Sequence, residues 1–329
     1  MALIVILRTT VYVTIILLSK NNSASKKNRK PGEDMRHIDV ITEKIKEDNY
    51  KVFDLLSNYL NRAPDYISRE EIDEIVKSGV SYEYAFAVIL AAAFGLDIVN
   101  DANDKDLFNK YFIKMFHKLD VNEYLHNPYY KNINIPRIKV GNSELTYEEY
   151  KSFEGFVCND IIKTKEGRQI PQIGFFETEF CFPTVLEHDR IWMTITPNEI
   201  ETMKEAVEQA FGNVLTFGLG LGYYAYMVSE KENVESITVV EINEDVIHLF
   251  KKYIMPQFKN AEKVHIIKGD AFEYAQKHIA PGKYDLVFTD LWHDVSDGMD
   301  LYLRMKNYEK LSPTTIFSYW IEKSILCYL

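Results

Sequence analysis

Three alternating glycines, Gly218, Gly220 and Gly222, follow directly on the apolar run Val214-Leu215-Thr216-Phe217 and precede YYAYMVS. A ligand can settle over the carboxyl end of a central strand only where the turn lacks side chains, and glycine supplies such a turn. The next apolar run, Ser236 to Val240, ends in Glu241, 19 residues past Gly222. A carboxylate there can accept both hydroxyl protons of a ribose, although a surface Glu beside an Asn243-capped helix has the same spelling. A third run, Val264 to Ile267, leads through Lys268-Gly269 to Asp270-Ala271, where Asp270 can accept from an adenine amino group. The fourth, Tyr284 to Thr289, ends in Asp290-Leu291-Trp292-His293-Asp294. Asp290, His293 and Asp294 are the catalytic candidates. An imidazole with an ordinary pKa of about 6.5 is suited to proton transfer near neutrality, and Asp290 serves either as a base or as a turn cap. Trp292 is the substrate-binding candidate, since an indole face attracts a sulfonium or a cationic acceptor by roughly 0.5–2 kcal/mol; it also reads as core.

These residues need a scaffold that brings strand ends together. From residue 196 onward apolar runs alternate with helical patterns, which predicts an α/β, Rossmann-like parallel sheet with covering helices. Strands are expected near 213–217, 236–240, 264–268, 284–289 and 314–319. Thr196-Pro197-Asn198-Glu199 has the form of a helix start, with Thr as N-cap, Pro first and Glu three residues after the cap. Tyr223 stands where a dinucleotide fingerprint needs its third glycine, which argues against a nicotinamide cofactor.

Residues 218–290 resemble the class I S-adenosylmethionine-dependent methyltransferases, and among them most the spermidine synthase branch. The resemblance rests on GLGLG, on VESITVVEINEDVIHLFKKYIMPQF (Val234 to Phe258), and on GDAFEY and YDLVFTD. It implies that the glycine turn contacts the methionine portion of S-adenosylmethionine or its decarboxylated form, Glu241 the ribose, and Asp270 with Ala271 the adenine. Two departures weaken the aminopropyltransferase reading. No proline follows Asp290 to Asp294 where that branch has an acidic-small-x-acidic-proline motif, and TITPNEIETM replaces its acidic-aromatic signature. The chain also ends soon after the fifth expected strand, without the superfamily's final antiparallel hairpin.

The remaining segments read differently. Residues 1–34 form an apolar then basic extension, expected to be an upstream mis-start before Met35 or a membrane anchor over 2–18. Residues 35–134 are expected to form an all-helical domain. It includes a capping box from Ser68 to Glu71, an apolar central helix over Tyr84 to Phe94, and an amphipathic helix from Leu107 to Leu119 in which His117 reads as a surface or structural residue and not a ligand. Residues 135–195 form a β-rich segment. Its aromatics Phe175, Phe176, Phe180, Phe182 and Trp192 are either core or an acceptor pocket, and Glu177 and Glu179 are weak candidates for holding a cation.

Composition narrows the function classes. The 329-residue chain carries a formal charge of −11, so nucleic acid is a poor partner. Its three cysteines are widely spaced and suggest neither a disulfide framework nor a metal site, which fits a cytoplasmic protein. The leading expectation is in-line methyl transfer from S-adenosylmethionine to a small-molecule acceptor. The alternatives are aminopropyl transfer from decarboxylated S-adenosylmethionine and a non-catalytic adenosyl-binding protein; a homo-oligomer is compatible with all three.

Overall fold

The computed structural model describes residues 42–329, so the expectations for residues 1–34 lie outside the described residues. Helix α1 (Glu43–Arg62) starts at Thr42, whose hydroxyl accepts from the Ile45 amide. Helix α2 (Arg69–Val76) carries the expected Ser68/Glu71 capping box. Helix α3 (Tyr82–Ala93) is the buried central helix, with Ala85, Phe86, Ala87, Leu90 and Ala91 all inside. Then come α4 (Ala102–Leu107), a π-helical turn (Phe108–Phe112) and α5 (Ile113–Met115). The 3.6-residue periodicity predicted helix to Leu119, but the chain leaves it at Phe116. Phe116–Lys118 (β1) instead pairs in parallel with Ile173, Gly174 and Phe175. Burial explains the switch: Phe116 packs on Phe86 with ring centroids 5.2 Å apart, and the neighbouring strand satisfies backbone groups that a further helical turn would otherwise use. His117 bonds the Gln172 side chain at 2.7 Å, a structural role.

Two short helices, α6 (Val121–Leu125) and α7 (Pro128–Asn132), lead into the β-rich segment. This holds β2 (Ile138–Val140), β3 (Ser143–Tyr150), β4 (Phe156–Lys163), β5 (Gln169–Phe175), β6 (Phe180–Glu187) and β7 (Arg190–Thr194). They divide between a four-stranded antiparallel sheet, β2-β3-β6-β7, and a three-stranded sheet, β1-β5-β4. The helices do not close a core by themselves. Phe86 stacks on Phe175 of β5 at 4.3 Å, and Phe153, Ile170 and Ile173 join the same apolar cluster. Phe175, Phe176, Phe180 and Phe182 are all core residues.

The C-terminal part comprises α8 (Pro197–Gln209), β8 (Gly212–Phe217), α9 (Tyr223–Ser229), β9 (Val234–Glu241), α10 (Glu244–Leu249), β10 (Val264–Lys268), α11 (Ala271–His278), β11 (Leu286–Thr289), α12 (Val295–Lys306), β12 (Ile316–Tyr319) and α13 (Glu322–Ile325). Its five strands are all parallel, in the order β10-β9-β8-β11-β12, so this is the expected Rossmann-like sheet. Val214, Leu215, Phe217, Ile237, Val239, Leu286 and Val287 are buried, as strands covered on both faces must be. The order reverses between β8 and β11, and the crevice at such a reversal is where open α/β sheets hold ligands. Among the described residues no helix is long and apolar enough to cross a membrane.

Candidate functional site

A cavity of about 220 Å³ opens at that crevice. Gly218, Gly220, Glu241, Asp290, Trp292 and His293 line it, joined by Trp192, Met193, Glu199 and Trp320. The glycines of the turn serve separate ends. At Gly218 (φ +95°) a β-carbon would fall 2.0 Å from the Asp290 carbonyl oxygen, so glycine lets the ends of β8 and β11 close on each other. At Gly220 (φ +52°) the nearest atom to such a carbon is Met193 Sδ at 3.7 Å, so the space beside it is left for something other than protein. Gly222 does not line the cavity; a β-carbon there would strike the Phe250 ring at 2.1 Å, and its part is helix–sheet packing.

Three carboxylates face this space. Glu241 is 8% exposed, and its two oxygens accept from the Leu219 amide (3.0 Å) and the Asn243 amide (2.7 Å). It therefore braces the glycine turn from the end of β9, and each oxygen keeps a lone pair for a ligand hydroxyl. Glu199 stands in the first turn of α8. It accepts from the Thr196 amide at 2.8 Å, from the Thr196 hydroxyl and from the Thr194 hydroxyl at 2.9 Å, yet burial still raises its pKa. Asp290 directly follows β11. Burial first, then the nearby Glu199 charge, pushes its carboxyl up to about 8. Among the described residues lining the cavity there is no Lys or Arg.

His293 lines the cavity and is partly exposed. Its Nδ1 meets Asp297 Oδ2 at 2.8 Å, and the hydrogen bond to that carboxylate raises the imidazole pKa. Trp192, from β7, packs edge-on against the ring at 4.3 Å. Trp292 is 4% exposed and lies over Gly298, with its indole N–H unpartnered among the described residues.

Other candidates fall outside the cavity. Asp294 is the N-cap of α12, accepting from the Ser296 amide at 2.6 Å. Asp270 caps α11 through the Phe272 and Glu273 amides, both at 2.9 Å, and neither it nor Ala271 lines the cavity. Glu177 pairs with Lys118 at 3.1 Å, and it and Glu179 lie away from the cavity. Sequence reasoning took Glu199 for a cap alone and passed over Asp297. Glu199 hides because the capping-box spelling accounts for it fully. Asp297 had a signal, its four-residue spacing from His293 at a helix start.

Residues 198–313 match the family model described as the spermine/spermidine synthase domain. Two similar proteins are polyamine aminopropyltransferases. The one from Methanocaldococcus jannaschii is 27% identical over 161 residues, covering 46% of this chain and 49% of the relative. The one from Buchnera aphidicola is 31% identical over 94 residues, covering 28% and 32%. The chain thus spans about half or less of the length of these relatives. A spermidine synthase structure from Thermotoga maritima aligns over 33% of this chain and 39% of its own at 20% identity, with a TM-score of 0.26, too slight a likeness to argue from. The glycine turn and the parallel strands β8 to β11 lie within the residues that match the spermine/spermidine synthase domain, so this part of the chain is similar to that family.

Proposed function

We propose that the protein is an aminopropyltransferase taking decarboxylated S-adenosylmethionine and a small primary amine. This replaces methyl transfer as the better-supported reading. The observation that carries it is the acidic cavity: Glu199, Glu241 and Asp290 line it, with no Lys or Arg among the described lining residues. Intact S-adenosylmethionine would bring its own carboxylate into that field, whereas the decarboxylated form brings only cationic groups. The match to the spermine/spermidine synthase domain supports the same choice.

The chemistry follows from charge. An amine acceptor is protonated at neutral pH and must lose a proton before its nitrogen can attack. Glu199 and Asp290 hold the ammonium, and Asp290, with its raised pKa, takes the proton. The free amine then displaces the sulfonium at the aminopropyl carbon: a C–N bond forms, the C–S bond breaks, and sulfur leaves with the electron pair as a neutral thioether. The protein's share is to place nitrogen in line with that bond and keep water out. Glu241 holds the ribose, and Trp192 and His293 contribute to the cavity wall.

Calorimetry with the two adenosyl ligands, followed by product analysis with a panel of primary monoamines and diamines, tests this. The expected result is at least tenfold preference for the decarboxylated form, with release of methylthioadenosine. Preference for S-adenosylmethionine together with methylated product would overturn it in favour of methyl transfer, and binding without turnover would leave an adenosyl-binding protein.

A further inference from the structure

A second cavity, of about 120 Å³, adjoins the first. Much of its wall comes from parts of the chain outside residues 198–313, among them Phe53, Ser57 and Leu60 of α1, Val157 and Ile161 of β4, and Tyr328 near the end of the chain. His293 and Trp320 line both cavities, so the two meet across these side chains. Apolar cavities of roughly this size, ~150 Å³, take up a ring such as benzene.

The walls decide what fits. They are chiefly apolar, and Asp294, the one carboxylate among the described lining residues, is committed to capping α12. Gln172 is likewise satisfied, by His117 and by the Ile170 and Pro171 carbonyls. Asn198 differs. It is 8% exposed, it lines this cavity, and its side-chain amide makes no hydrogen bond among the described residues. It also directly precedes Glu199, which faces the first cavity.

From this we infer that the second cavity holds the tail of the acceptor, and that the acceptor is a primary amine on an apolar chain or ring. The ammonium head lies between Glu199 and Asp290. The tail passes His293 and Trp320 into the space closed by α1, and Asn198 can meet a polar atom carried on it. A second ammonium is disfavoured there because the described lining residues offer it no unengaged carboxylate. The assignment rests on the aminopropyl-transfer reading for the position of the head.

Calorimetry on the full chain with n-propylamine, n-hexylamine and 1,6-diaminohexane tests it. Affinity should rise roughly fourfold per methylene from propyl to hexyl, and 1,6-diaminohexane should bind at least tenfold more weakly than hexylamine. Ser57→Phe, which fills the cavity from α1, should weaken hexylamine at least tenfold while leaving propylamine and decarboxylated S-adenosylmethionine unaffected. Ile161→Trp narrows the cavity from β4 at a partly exposed position, and should do the same if Ser57→Phe fails to fold. Affinity that is flat with chain length, equal binding of the diamine, or hexylamine binding untouched by both substitutions would each overturn the inference. If the tail dependence holds while no amine is aminopropylated, the transfer reading fails and the cavity assignment stands.

Discussion

Asp290 is the residue on which charge, burial and chemistry converge. With its carboxyl pushed up to about 8, the base form is scarce at pH 7 and grows as pH rises. The acceptor-saturated rate should therefore climb through about pH 8, and Asp290→Asn should remove that limb and lower kcat by about 10²–10⁴-fold, read from a pH–rate profile. Stability should move the opposite way. Between about pH 4 and pH 8 the native carboxyl keeps its proton while the unfolded one has lost it, so the wild type loses stability as pH rises across that window. The Asn variant does not titrate, so its advantage in Tm should grow from about pH 4 and level off above about pH 8. The glycines separate by the same kind of local argument. Gly218→Ala should cost stability and ligand binding together, because the new carbon meets the Asp290 backbone. Gly220→Ala has room and should fold with a penalty of about 1–2 kcal/mol for its left-handed backbone, yet bind the adenosyl ligand far less well. Thermal unfolding beside calorimetry checks both. The sequence disclosed Gly218, Gly220, Glu241 and Asp290 as a group because each follows an apolar strand at a fixed distance. It did not disclose Glu199, which reaches the site only once α8 is packed against β4 and α9.

At the scale of elements, the glycine turn is held by a helix that the family match does not include. Helix α7 places Tyr129, fully buried, so that its hydroxyl donates to the Leu221 carbonyl at 2.6 Å. Asn127 donates to the Tyr223 hydroxyl and Asn132 to the Tyr226 hydroxyl, tying α7 to α9 along its length. Tyr129→Phe leaves the Leu221 carbonyl without its donor, which should cost about 1–3 kcal/mol. Because that carbonyl belongs to the turn, the dissociation constant for the adenosyl ligand should rise with the fall in Tm; an unchanged constant would show that the turn is rigid without α7. None of this was legible beforehand. Pro128 and its neighbours signal at most a short helix, and a contact across 92 residues leaves no periodic trace. The strands of the parallel sheet were legible for the converse reason: burial on both faces forces an uninterrupted apolar run. The span from Leu107 to Leu119 misled because Phe116 keeps helical spacing while its backbone pairs with β5.

At the scale of the whole molecule, the question is whether the helical part and the parallel-sheet part unfold separately. Among the described residues there are two apolar clusters, one under each part. They meet in the β4–β5 ladder: Phe156 and Cys158 of β4 belong to the sheet-side cluster, while Ile170, Ile173 and Phe175 of β5 belong to the helical one. The C-terminal turn adds polar ties. Ser324 donates its hydroxyl to Asp160 and accepts from the Ile161 amide, the Cys327 carbonyl accepts from Gln169, and Tyr328 packs on Phe53 with centroids 6.1 Å apart. Burial raises the Asp160 pKa despite the Ser324 hydrogen bonds, so this junction is dry enough for its polar contacts to matter. A division through β4 and β5 would expose one strand edge and half of each cluster at once, which makes independent unfolding costly. Decarboxylated S-adenosylmethionine at a hundred times its dissociation constant should therefore add about 2.7 kcal/mol to the slowest-exchanging amides of α3 as well as to those of β8. Hydrogen exchange with and without the ligand reads this directly. Protection gained in β8 but not in α3 would mean that the helical part opens by itself, and the walls it contributes to the second cavity would then move apart from the site they serve.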